Sequence, residues 1–119
     1  MPIARDAYGR GIQALLPRTS GSHKIVASGT SQGVGPFATA GTPAVQIARA
    51  LSIQVVGGAI RFRAGIGAQT AVGTDHYLDS ASGRVTISLQ GDGGTEALQT
   101  HFACIAALGT PDVHISELY

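Results

Sequence analysis

Gly29-Thr30-Ser31-Gln32-Gly33 has the G-x-S-x-G spacing of a nucleophile elbow, with Asp75, Asp79 or Asp112 and then His114 downstream in the order of a Ser/Asp/His triad. Such an elbow works because a helix begins at once after the serine and holds its hydroxyl strained above a parallel sheet. Here Gly33-Val34-Gly35-Pro36 follows, and no helix starts on that run. The chain is also too short, at 119 residues, for the strand-helix alternation of that hydrolase architecture. Ser31 is therefore read as a polar turn residue. Gly33 to Ala38 fits the loose G-x-G-x-x-A dinucleotide pattern and fails for the same missing helix, whose N-terminus would receive the pyrophosphate.

The four histidines, His23, His76, His101 and His114, show no i, i+2 pair and no C-x-x-C anchor, so their spacing does not describe a zinc site. His101 and His114 are expected on neighbouring strands. Asp92 has only Glu96 nearby, too few oxygens for calcium. Asp75, Asp79 and the serines around them read as turn-closing residues, whose side chains bond their own backbone. Arg61 and Arg63 share one face of a strand pattern. With no interleaved aromatics they read as directed donors to a protein partner, because guanidinium makes bidentate contacts to carboxylates. No catalytic, cofactor-binding or metal-binding residue is assigned, and no enzymatic activity is expected.

Composition narrows the classes further. Lys+Arg 8 against Asp+Glu 7 leaves a formal charge of +1, which gives no field to gather nucleic acid or an anionic membrane. The single Cys104 excludes an internal disulfide and a Cys-rich metal site. No stretch of about 18 uncharged apolar residues occurs, and Arg5, Asp6 and Arg10 interrupt the N-terminal region, so neither a membrane span nor a secretory leader is expected. There are 17 Gly, 18 Ala and only 5% aromatics, and mean hydropathy is positive, which suits a chain that covers apolar surface by assembling.

These residues need a scaffold, and the apolar period supplies one. Residues 1–22 form an arm, rich in Arg with two prolines and a closing Ser-Gly-Ser, in which Ile12, Leu15, Leu16 and Arg18 are candidate partner contacts. Residues 23–119 form the body. There the period is two, the mark of strands. Leu51, Ile53 and Val55 alternate with polar residues, as do Ile60, Phe62 and Ala64, and Gly57-Gly58 between them predicts a hairpin turn. Val85, Ile87 and Leu89 form another strand. Phe102, Cys104 and Ala106 precede Gly109-Thr110-Pro111-Asp112 and then Val113 and Ile115, predicting a second hairpin. Weaker strand segments are Ile25–Ser28, Ala44–Ala48 and Ala71–Leu78. The expected fold is an all-β, jelly-roll-like antiparallel sandwich of about seven to eight short strands with an extended N-terminal arm.

Four stretches carry a resemblance: A-S-G-T-S-Q at 27–32, A-I-R-F-R-A-G at 59–65, D-H-Y-L-D-S-A-S-G at 75–83 and H-F-A-C-I-A-A-L-G-T-P-D-V-H-I-S-E-L at 101–118. In this order they resemble the small β-sandwich cement or decoration proteins on the heads of tailed bacteriophages. That resemblance implies a virion structural protein made in the host cytoplasm, bound to the outer capsid surface where major capsid proteins meet. It implies a homotrimer, with the arm as a strap to a neighbouring subunit. The same composition would serve a head-fibre base, a tail accessory or a head-completion protein. A small carbohydrate-binding or ligand-binding β-sandwich is the competing class, and it would use exposed aromatics, of which this chain has few.

Overall fold

Alternating apolar residues and β-branched side chains favour a pleated, half-buried surface, and the two longest such segments form the centre of the protein. The computed structural model describes residues 4–5, 11–12, 16–37, 47–89 and 98–119. Within them the chain forms strands β1 (Ala4–Arg5), β2 (Gly11–Ile12), β3 (Pro17–Val26), β4 (Gln32–Val34), β5 (Ala50–Gly65), β6 (His76–Asp79), β7 (Arg84–Ser88) and β8 (His101–Leu118). The helical element among the described residues is one 3-10 turn at Ser80–Ser82. No described helix is long and apolar enough to cross a membrane.

All pairing among the described strands is antiparallel. β5 and β8 pair along nearly their whole lengths, from Ala50 opposite Leu118 to Gly65 opposite His101. Shorter strands flank this ribbon. β7 and β6 lie along successive halves of β5, while β3 and β4 lie along successive halves of β8. The result is an all-β protein built on one six-stranded antiparallel sheet, beside a two-stranded ladder of β1 and β2.

Two expected reversals do not occur. Gly57-Gly58 lies inside the continuous β5, and Gly109 to Asp112 lies inside the continuous β8. Four strands expected to be short are therefore two long ones, of 16 and 18 residues. The glycines bend the ribbon without turning it back. Gly57 and Gly109 take φ of 86° and 69°, a region that side chains with a Cβ avoid. At this level β8 gains register twice, between Val56 and Gly58 and between Ala59 and Ile60 of its partner, which is bulge geometry. Pro111 falls within this irregular stretch, where its missing N–H interrupts no regular ladder.

The bend also exchanges the inward-facing parity. Leu51, Ile53 and Val55 point into the core before it, and Ile60 after it; on β8, Phe102 and Cys104 give way to Val113 and Ile115. One contiguous apolar cluster results, joined by Ile25, Phe37, Leu78 and Leu89. β3 crosses the expected junction between arm and body at residue 22, and Leu16 exchanges both backbone hydrogen bonds with Tyr119. Of the weaker segments, Ile25 and Val26 end β3, while Ala71–Leu78 becomes a turn followed by β6. Most of Ala44–Ala48 lies outside the described residues.

Candidate partner-binding face

Ile60 belongs to the core and Phe62 packs against it, so the alternation of β5 sends Arg61 and Arg63 to the opposite, outward face. Register then fixes their neighbours. Arg61 stands between Ile105 of β8 and Tyr77 of β6, and Arg63 stands opposite Ala103. The two arginines do different things. Arg63 donates from Nε and Nη2 to the two carboxylate oxygens of Asp75, each at 2.9 Å, a bidentate fork. Asp75 also accepts the Val72 N–H at 2.8 Å, closing the turn that leads into β6. The hydrogen bonds from Arg63 and Val72 hold the Asp75 carboxyl below the usual carboxylate range.

Arg61 instead lays its guanidinium over the Tyr77 ring, 4.8 Å from the centroid, and donates Nη1 to the Asp75 carbonyl at 3.3 Å. Asp79, at the far end of β6, accepts from the Ser82 N–H and hydroxyl and so caps the 3-10 turn. Past the Ile60–Ala106 row, Leu108 is paired with Ala59 and is 66% exposed, while Tyr77, in the row of Arg61, is 50% exposed. An ordered arginine thus sits among outward-facing apolar side chains.

A second polar group is buried. Glu117 of β8, with a side chain 3% exposed, meets His23 Nε2 at 2.6 Å and lies 3.8 Å from Arg18. His23 also packs on Phe37, ring centroids 5.7 Å apart. Arg18, a candidate partner contact by its place in the sequence, thus lies beside Glu117, and no spacing in the sequence connects His23 with Glu117. Only the pairing of β3 with β8 brings these residues, 94 positions apart, together.

The other singled-out residues lie apart. Ser31 is followed by β4, a strand where the elbow needs a helix, and its Oγ accepts the Ala71 N–H at 2.8 Å. The loop after β5 therefore reaches the start of β4, on the far side of β8. His101 and His114 do not occupy neighbouring strands; they sit toward opposite ends of β8, because the expected reversal between them is a bend. Among the described residues, no three His, Cys, Asp or Glu side chains converge as metal ligands. Cys104 is fully buried, and that burial pushes its thiol up to about 11. Ile12 lies in β2, its side chain outside the described residues, and Leu15 lies outside them altogether. A recess of about 280 Å³ between Phe62, Ala64, His76, Ile87, Ser88 and Gln99 opens elsewhere on the molecule. Compared with protein-family models, curated proteins and solved structures, the chain finds no match.

Proposed function

We propose that the chain is a non-enzymatic structural protein of a bacteriophage virion, a cement or decoration protein on the outer capsid surface. Its partners in this reading are the major capsid protein and further copies of itself, as a homotrimer. The architecture proposed with it is a jelly-roll-like sandwich, in which the two halves of the bent sheet act as the two layers.

The observation that carries the reading is the amount of apolar side chain that the sheet holds outward around its bend. Val26 and Val56 flank Asp112 in one row at the bend and are 54% and 48% exposed, and Leu108 stands close by. Outward apolar groups fixed on a sheet suit repeated moderate contacts, in which avidity from many copies replaces one tight site. The resemblance of the four sequence stretches to head-surface proteins supplies the biological setting.

The test is light scattering on the purified full chain, combined with co-sedimentation against heads of the encoding phage that lack it. The expected mass is three times the 12.0 kDa of one chain, with binding that raises the heat tolerance of the heads. A monomer without affinity for heads overturns the proposal.

A further inference from the structure

The outward face around Arg61 carries four charged residues that are not equally available. Arg63 and Asp75 satisfy each other through two hydrogen bonds, and Asp79 is tied to the 3-10 turn. Arg61 makes one long bond, to a backbone carbonyl, and otherwise rests on Tyr77. Its Nε–H and second amino group have no hydrogen-bond acceptor among the described residues. The cation–π contact holds the guanidinium in place before any partner arrives, so less side-chain entropy remains to be lost on binding. Tyr77 and Ile105 flank it in its own row and Leu108 stands two rows on, past Ile60 and Ala106, giving the mixture of arginine, aromatic and aliphatic groups that fills the centres of protein interfaces.

We infer that this face docks an acidic protein segment, one that places a carboxylate on the free edge of Arg61 and an adjacent apolar side chain against Leu108, Ile105 and Tyr77. A carboxylate is the matching group because its two oxygens fit the guanidinium fork, and because the carboxylates of the face itself are already engaged. One available cation cannot hold the run of phosphates that nucleic-acid binding requires. Arg63 and Asp75 are positioning residues: their fork fixes the turn whose carbonyl steadies Arg61. The inference rests on the partner-binding part of the reading above and not on the partner being a capsid.

Two measurements separate the surface from the capsid assignment. In the first, co-sedimentation with heads compares the unaltered chain with Arg61→Ala, Arg61→Lys and, on the other half of the sheet, Thr86→Ala on β7, each checked for an unchanged melting profile. Arg61→Ala is expected to weaken binding at least about tenfold, Arg61→Lys to restore little of it for want of the fork, and Thr86→Ala to bind as before. Equal binding by Arg61→Ala overturns the inference. If the unaltered chain binds no heads, the capsid reading falls and the second measurement decides. There, the peptide acetyl-Leu-Glu-Glu-Leu-amide and its Leu-Gln-Gln-Leu counterpart are titrated into nitrogen-15-labelled protein. Shifts at Arg61 Nε–H and the Tyr77 amide with the Glu peptide alone, with the Tyr77 shift lost in Arg61→Ala, support the inference. No shift, or the same shift with the Gln peptide or in Arg61→Ala, overturns it.

Discussion

At the scale of single residues, polar groups hold structure here as often as they offer contacts. Asp75 is held below its ordinary pKa of 3.8, so folding favours its charged form. That contribution is present above the ordinary value and is lost as pH falls through and below it. The protection factor of the Val72 amide, whose acceptor is Asp75, is therefore expected to fall in acid before those of the core strands, and Asp75→Asn should lower it at neutral pH. His23→Ala removes the shortest partner of a buried carboxylate, and a loss of about 1–3 kcal/mol is expected from denaturant midpoints. Lys24→Ala, at an exposed pair 3.8 Å long, should move the midpoint by less than about 1 kcal/mol. Cys104 runs opposite in sign to Asp75. Its raised thiol contributes stability below the ordinary value of 9.0 and loses it as pH rises toward about 11. Alkylating reagents at neutral pH should mark Cys104 only after unfolding.

At the scale of elements, the bend in the β5–β8 ribbon sets which side chains face inward. Gly57 meets open space where a Cβ would stand but carries φ of 86°, so Gly57→Ala is expected to cost about 1–2 kcal/mol from backbone strain. Gly58 differs, because a Cβ there would collide with the Leu108 carbonyl oxygen. That oxygen belongs to the backbone of β8 and moves only if the ribbon opens. Thermal melts should place Gly58→Ala well below Gly57→Ala, and a ranking the other way would mean that the close approach is not what shapes the bend. The period-two alternation made the strand segments themselves legible at Leu51 to Val55, Ile60 to Ala64, Val85 to Ile87 and Phe102 to Ala106. It did not show that neighbouring segments join. Glycine pairs that permit a hairpin turn also permit a bulge, and the choice rested on a partner strand some fifty residues away.

At the scale of the whole molecule, a bent sheet leaves apolar groups outside as well as inside. Val26, Val56 and Leu108 stand outward near the bend, while Arg61 and Tyr77 stand outward on the half beyond it. This is why assembly is the favoured reading. Folding and assembly can be tested separately at residues 1–15, the part of the expected arm 1–22 that precedes the sheet. The six-stranded sheet begins at Pro17, and Leu16 pairs with Tyr119. Removing residues 1–15 should leave the melting temperature essentially unchanged, and if the arm acts as a strap it should lower affinity for heads in the co-sedimentation experiment. A large fall in melting temperature would instead make those residues part of the fold.

What the sequence determined by itself was local: an all-β chain, through its period of two, and turn chemistry at Asp75 and Asp79, through short polar side chains that bond their own backbone. Arg61 and Arg63 could be placed on one strand face from their spacing alone. Their division of labour could not, because it depends on Asp75 entering from the turn before β6 and Tyr77 from β6 itself. The burial of Glu117 against His23 and the continuity of β5 and β8 through their glycines were likewise decided by tertiary structure. In each case the deciding contact lies across a ladder, and sequence periodicity reports which face a residue takes without reporting which strand will lie beside it.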